Sequence, residues 1–340
     1  MGIKNISKTF EFIFNEIELS YKDFHKYNIK SIAIDISIFI YRALKAPFLL
    51  TDNNNKIVNH IKSILSMIIS LKKNNINMIF VFDNKTLNII KSNEIKERKI
   101  KKNENKKKIQ SIIEQNTNNN TNNSDNLFKI DGLDITKEFI EKNKIVKRIL
   151  SLTDEHINDI IYMLDSFNIC YVFTPNNFEA EHICSHFNRI GLVDAVLSSD
   201  TDPLAFNCIN LIRVKTKNKK KIINLINKKK LLDYYNLTYK EFLKICCLLG
   251  NDFCKKNQSR VGCKTILKKF RNMKLTSEQI QAAKYFYQKI KFKLDIINKN
   301  NKSFSDSISI NNYMNYLIHN HNFNKDKTIK LFKVLNNINI

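Results

Sequence analysis

Three short apolar runs along the chain each lead towards an aspartate: residues 32–34 into Asp35, 78–82 into Asp83, and 195–197, after two serines, into Asp200. A fourth run, 169–173, has no acid at its end. The runs are continuous rather than alternating, which is the pattern of strands covered on both faces, and helical periodicity lies between them. The expected fold class is therefore α/β, with a mostly parallel central sheet flanked by helices. Sheets of this kind gather ligands beyond the carboxyl ends of their strands, where these aspartates stand.

The helical pattern is clearest over residues 57–71, where Ile57, Ile61, Ile64, Leu65 and Ile68 share one stripe suited to covering the sheet. Thr238 followed by Glu241 reads as a capping box that opens an apolar helix ending at Leu249, with Gly250 as the stop. Another carboxylate, Asp252, comes directly after that stop. A helix is also expected from Thr153 to Phe167. Between Lys91 and Leu150 the character changes to a basic run through Lys96, Arg98, Lys99, Lys101, Lys102, Lys106, Lys107 and Lys108. Residues 115–126 follow, almost all Asn, Thr and Ser; they are too polar to join a core and are expected to be a disordered insertion.

Composition narrows the partner. The 340 residues carry a formal net charge of +25, far more than solubility requires, which points to a polyanion: nucleic acid first, an anionic membrane second. The abundance of Asn, Ile and Lys beside few Gly and no Trp also has the look of A/T-rich codon usage. No run of about 18 uncharged apolar residues and no signal peptide is evident, so neither a membrane span nor secretion is expected. The seven cysteines are odd in number and lack zinc or redox spacing, which suits a reducing intracellular compartment.

The acids that carry chemistry are Asp35, Asp83, Glu179, Glu181, Asp200, Asp202 and Asp252. Asp200 and Asp202 lie two apart in a segment expected to be extended, which would point both side chains to one face. Asn176 or Asn177 would cap a helix starting near Phe178. Residues two apart on a regular helix face different sides, so Glu179 and Glu181 share a site only if Glu179 lies in the first, looser turn. Any one of these acids alone reads as a surface or capping residue. Crowded together at strand ends they would repel one another strongly unless divalent cations lay among them. All-oxygen ligation points to Mg²⁺, or Mn²⁺ as a substitute. Two such ions about 4 Å apart can activate a water and stabilise the leaving oxygen of a phosphodiester.

Several blocks resemble the flap endonuclease/XPG family of structure-specific 5′ nucleases, in the family's order. Met1-Gly2-Ile3-Lys4 is similar to its N-terminus, and the stretch from Ile34 to Tyr41 to its first aspartate block. Val81-Phe82-Asp83 with Lys91-Ser92 and Arg98 resembles the second, and Glu179-Ala180-Glu181 and Ser199-Asp200-Thr201-Asp202 the central ones. Leu248-Leu249-Gly250-Asn251-Asp252-Phe253 resembles the last. The resemblance implies a PIN-like/XPG nuclease core with a helical arch and a C-terminal helix-two-turn-helix region. It divides the chain into an N-terminal nuclease region (1–110), an arch region (111–150) holding the insertion, an internal nuclease region (151–252) and a C-terminal DNA-binding helical region (253–340).

It further implies a Mg²⁺-dependent endonuclease cutting DNA at flaps or junctions by a two-metal mechanism, in replication, repair or recombination. The seven acids would bind two ions, while Lys91 and Arg98 grip the scissile phosphate. Tyr41 would stack on a terminal base, Gly2 would lie by the active site, and Gly262 with Lys264 would meet duplex phosphate. Arg260 stands where the family has its first loop glycine, and the loop is one residue longer, which puts the family's K⁺ site in question but not phosphate binding. No sliding-clamp motif is found near Ile340; a monomer is expected, acting in the nucleus or, for a virus, at its replication site. The alternatives are a junction resolvase or 5′ exonuclease of the same superfamily, an RNA nuclease with a similar core, or a DNA-junction binder without catalysis. His182, Cys184 and His186 share one predicted helix but lack further ligands, and read as structural. The lysine groups at 217–221 and 228–230 read as solvated surface.

Overall fold

The four apolar runs form neighbouring or near-neighbouring strands of one sheet in a computed structural model. It describes all residues except 1, 12, 14–17, 47, 53–55, 85–90, 118–126, 131–132, 143–144, 218–219, 257–260, 291–294, 298–305, 322 and 337–340. The chain divides into two compact units, each built from separated segments.

The first unit comprises Met1–Ile36, Asn74–Glu94 and Cys170–Ile297. It holds a seven-stranded sheet of order β1-β9-β8-β7-β2-β3-β6, whose strands are β1 (Glu18–Leu19), β2 (Ser31–Asp35), β3 (Asn77–Phe82), β6 (Cys170–Phe173), β7 (Ala195–Ser198), β8 (Asn210–Lys217) and β9 (Lys220–Asn227). From β8 to β6 every pairing is parallel, and β9 and β1 add an antiparallel edge. All of β7 and four of the five residues of β2 are buried, as the unbroken apolar runs predict. The helix Ala180–Arg189 packs along β2, β3 and β7 and turns Ala180, Ile183, Cys184 and Phe187 inward.

A cluster of aromatic rings fills the space around it: Phe206 lies 4.8 Å from Phe286 and Phe253 lies 4.9 Å from Tyr285, measured between ring centroids. His182 is part of this core. Its ring stacks on Phe206 at 4.6 Å and meets the Gln288 carbonyl at 3.0 Å, and burial pulls its pKa down to about 3, which accords with the structural role expected for it.

The expected capping box is present. The Glu241 N–H donates to Thr238 Oγ1 at 3.2 Å and the Thr238 N–H to Glu241 Oε2 at 2.9 Å, which opens the helix Tyr239–Leu249. Gly250, at φ 83°, ends it; a Cβ there would sit 2.8 Å from the Lys256 backbone nitrogen, so both conformation and space require glycine.

The second unit comprises Ser37–Lys73, Ile95–Ile169 and Asn298–Ile340. Its helix Asn59–Lys72 buries Ile61, Ile64, Leu65 and Ile68 as the periodicity predicts, but begins two residues after Ile57, which instead bridges to Thr51. The helix Asp154–Ser166 is capped by Thr153. The basic run lies on the helix Ser92–Thr117, which continues through residues 115–117 of the tract expected to be disordered. A solvated helix needs no apolar stripe to propagate through Gln and Asn. The rest of that tract, 118–126, lies outside the described residues. A hairpin of β4 (Leu127–Ile130) and β5 (Leu133–Thr136), which the sequence reading did not foresee, follows it. Ile130 and Ile135 of this hairpin join Ile109, Ile140, Val146 and Ile149 in a small core. Among the described residues no helix is long and apolar enough to cross a membrane.

Removing the N-cap hydroxyl with Thr238→Ala is expected to lower the unfolding free energy by about 1 kcal/mol in a urea titration, with an unchanged m-value.

Candidate active site

Parallel pairing decides where the first acids stand. Asp35, the last residue of β2, sits opposite Val81 of β3, so Asp83 follows two residues further along the neighbouring strand. On the other side Ile34 faces Leu197, which carries Asp200 to the same end of the sheet. Asp35 is 3% exposed and its Oδ1 has no hydrogen-bond partner. Asp83 is exposed, and its Oδ1 accepts the Ala180 N–H at 2.8 Å, satisfying one orphan donor at the start of the helix Ala180–Arg189.

That bond fixes the next pair. The helix begins at Ala180 rather than near Phe178, because Asn177 at φ 68° turns the chain and Glu179 keeps an extended backbone at φ −108°, ψ 158°. Glu179 is thus the residue flanking the helix and Glu181 its second residue, which frees the pair from the opposed directions of a regular helical turn.

Asp200 and Asp202 reach the cluster by a route other than the extended segment expected. The Asp200 N–H donates to Ser198 Oγ at 3.0 Å, and Asp200 Oδ1 accepts the Thr201 N–H at 2.6 Å. Thr201 has right-handed helical angles, and Asp202 is the first residue of a short helix, Asp202–Ala205, with Pro203 in its first turn. The aspartate's bond to the next amide and the proline's fixed φ together curl the backbone. Asp202 is 1% exposed, and its Oδ1 also lacks a hydrogen-bond partner.

The N-terminal segment closes over this turn. The Ile3 N–H donates to Thr201 Oγ1 at 3.2 Å and the Lys4 N–H to the Gly250 carbonyl at 2.9 Å. Gly2, at φ 80°, abuts Asp200 so closely that a Cβ would fall 1.6 Å from its Oδ1. Asp252 is presented by a turn that Asn251 builds, its Oδ1 accepting the Phe253 N–H at 2.9 Å and the Cys254 N–H at 3.1 Å. Thr201, Ser198 and Asn251 had no assigned role in the sequence reading. The readable signal was a short hydroxyl or amide side chain close to Asp200, Asp202 and Asp252, the residue type that bonds nearby backbone and makes turns.

The acids are electrostatically coupled. Burial raises the pKa of Asp35, and Asp83, Asp200 and Glu179 raise it further. Burial likewise raises Glu181, with Asp35 and Asp200 adding to it, and Asp202, with Asp200 and Asp252 adding to it. Glu179 is raised by burial and Asp83 against the pull of Lys91, and Asp200 by burial against the bond from the Thr201 amide. Lys91 stands within this field, immediately before the helix Ser92–Thr117. Its ammonium donates to Glu179 Oε2 and lies 4.5 Å from the centre of the Phe253 ring. Burial would lower its pKa, but Glu179, Glu181 and Asp202 outweigh that and hold it well above the usual range.

The donor set suits hard cations: oxygen only, largely desolvated, with two buried carboxylate oxygens, Asp35 Oδ1 and Asp202 Oδ1, lacking partners. It is a charge-coupled cluster rather than a finished cage. Among the described residues, no three His, Cys, Asp or Glu side chains already surround one point as metal ligands.

Arg98 belongs to the second unit, on the helix Ser92–Thr117, as does Tyr41 on the helix Ile36–Leu44, with the Lys45 ammonium 3.8 Å from its ring centre. Gly262 flanks the helix Cys263–Lys269, and Lys264 is exposed on its first turn. Arg260, on which the K⁺ question turned, lies outside the described residues.

An acid cluster at the carboxyl ends of a mostly parallel sheet, in a strongly basic chain, marks an α/β fold with its candidate site at the strand ends. Residues 1–105 match the XPG N-terminal domain and residues 168–252 the XPG I-region, which together take in more than half of the chain. The chain belongs to the XPG family. Flap endonuclease 1 of Lodderomyces elongisporus is 27% identical over 263 residues, 75% of this chain and 62% of that protein, so the chain spans under two thirds of its length. Flap endonuclease 1 of Sulfolobus acidocaldarius is 27% identical over 326 residues, 88% of this chain and 86% of the relative. In fold, the chain resembles flap endonuclease-1 from Methanococcus jannaschii, with a TM-score of 0.65 at 20% identity covering 95% of each chain. It also resembles human GEN1 solved with Holliday junction DNA, with a TM-score of 0.62 at 14% identity covering 98% of this chain and 77% of that one.

Two predictions follow from the geometry. A carboxyl whose pKa is raised on folding contributes most stability when protonated and loses that contribution as pH rises through its folded value. Asp202→Asn should therefore raise the thermal midpoint in chelator at neutral pH by roughly 2–4 °C. The advantage over wild type should vanish as the pH is lowered. Gly2→Ala should reduce Mn²⁺ affinity in a metal titration, since the added methyl must displace Asp200.

Proposed function

We propose that this chain is a divalent-metal-dependent, structure-specific 5′ endonuclease of the flap endonuclease type, hydrolysing DNA phosphodiester bonds at flaps or junctions. One observation carries the reading: carboxylates from five separate segments, Asp35, Asp83, Glu179 with Glu181, Asp200 with Asp202, and Asp252, share one coupled cluster in a chain of net charge +25. Relatives named Flap endonuclease 1 and a structural neighbour solved with Holliday junction DNA support the same class of substrate.

In this reading the seven acids hold two Mg²⁺ ions, for which Mn²⁺ can substitute. Bound there, the metals supply an activated water and stabilisation of the leaving oxygen. The chain's own groups orient and neutralise. Lys91 and Arg98 place positive charge where the scissile phosphate gains negative charge. Tyr41 offers a ring for the terminal base, a contact worth about 1–3 kcal/mol in stacking. Gly262 and Lys264 hold the backbone of the duplex, and the basic residues of the helix Ser92–Thr117 grip phosphates without reading sequence, so that affinity falls steeply with salt. DNA is the partner and the working form is a monomer.

The direct experiment incubates the protein with 5′-flap, nicked, four-way and RNA substrates, in Mg²⁺ and in chelator. Mg²⁺-dependent cleavage of the flap or a junction DNA is expected; binding without cleavage of any substrate would reduce the protein to a junction binder. Asp35→Asn should abolish cleavage, and Lys91→Ala should lower the rate by about 10²–10³-fold. Gly262→Ala separates fold from recognition. Gly262 has an ordinary φ of −69°, and a Cβ there would meet nothing closer than Thr265 Oγ1 at 3.9 Å. Its melting temperature should be unchanged while duplex binding weakens, as expected where DNA approaches the backbone.

A further inference from the structure

Lys91 is expected, from family resemblance, to serve the scissile phosphate, yet its ammonium is already engaged. It donates to Glu179 Oε2 and lies over the Phe253 ring, 4.5 Å from its centre. Lys91 and Glu179 are only 14% and 13% exposed, so the pair is a desolvated contact rather than a solvated surface bridge. The reach of the ammonium goes beyond Glu179: Asp35, Glu181, Asp200 and Asp202 all have their charged forms favoured by it. Arg213 is a second cation at the edge of the cluster, but its guanidinium is committed to Ser7 Oγ at 2.9 Å and the Ser199 carbonyl at 3.4 Å.

We infer that Lys91 is a built-in counter-ion which occupies the carboxylate cluster before metal arrives and must leave Glu179 when metal binds, so that one side chain serves the acids first and the phosphate afterwards. Metal and ammonium compete for the same oxygens. A carboxylate oxygen that accepts from an ammonium cannot at the same time offer that lone pair to a cation, and two positive charges a few ångströms apart repel. Metal therefore pays for its own entry by displacing Lys91, and the displaced ammonium becomes free for a newly arriving anion. Without Lys91 more of the repulsion among the metal-free acids would stand uncompensated, and the fold would gain more from metal. This rests on the proposed metal-dependent reading of the same site.

The test measures metal binding without DNA or turnover. Mn²⁺ is titrated into the full chain and free Mn²⁺ is read by electron paramagnetic resonance, for wild type, Lys91→Met and Lys91→Gln; both variants remove the charge, and Met keeps an unbranched apolar side chain of similar length. Both variants should bind Mn²⁺ roughly five- to tenfold more tightly than wild type while cleaving far more slowly. Their melting temperatures in chelator should fall, and the gain on adding Mn²⁺ should exceed that of wild type. A residue serving phosphate alone would leave Mn²⁺ affinity unchanged, and unchanged or weaker affinity overturns the inference. Should a variant fail to fold, acylation of Lys91 in the wild type, followed by mass spectrometry, decides the matter. Modification should be slow in chelator and faster with Ca²⁺; equal rates overturn the idea. If the wild type binds Mn²⁺ and cuts flaps but these comparisons show no difference, only this inference falls. If the wild type binds no Mn²⁺ and cuts nothing, the functional reading falls with it.

Discussion

Mutual repulsion among desolvated carboxylates is the constraint that the first unit must satisfy. Asp35 and Asp202 are almost wholly buried beside other acids, an arrangement that in isolation favours swelling or protonation. The fold resists it with bonds that do not depend on the acids' own attraction for anything. Parallel pairing sets Asp35 and Asp83, the amide side chain of Asn251 shapes the turn at Asp252, and Ser198 and Thr201 tie down the turn that carries Asp200 and Asp202. Each acid is carried by backbone that is rigid for other reasons, so the cluster is held in readiness at some cost in stability.

Much of this frame is legible in the sequence because full burial leaves a plain mark. β2, β3 and β7 are covered on both faces, which turns them into unbroken apolar runs, and the acids at their ends then stand out. The capping box at Thr238 is equally visible, since its two residues must be three apart to bond reciprocally. What depends on one local hydrogen bond is harder to see. The curl from Asp200 to Asp202 comes from a carboxylate bonding the next amide, a choice that periodicity does not encode. The shift of the helix start to Ala180 comes from Asp83, 97 residues away, accepting its first amide. The hairpin of β4 and β5 is only four residues a side, too short for alternation to register. The contact of Lys91 with Glu179, 88 residues apart in sequence, was likewise beyond reading.

The second unit follows a different logic. Its helix Ser92–Thr117 carries its lysines all round rather than on one side, and among the described residues only Ile109 is buried. A helix of that composition is held by a limited apolar contact and by solvation of its charges, which leaves most of its surface in solvent. Family resemblance was needed to single out Arg98 there, because nothing in the local pattern separates it from the neighbouring lysines.

The tie between the first residues and the acid turns has a bearing on biosynthesis. Ile3 and Lys4 dock against Thr201 and Gly250, residues that leave the ribosome some 200 and 250 positions later. Since contacts so far apart in sequence form late, a nascent chain holds its acids scattered through most of translation. The polypeptide thus emerges without an assembled acid cluster, and the amino-terminal segment finds its seat only once Thr201 and Gly250 have been made.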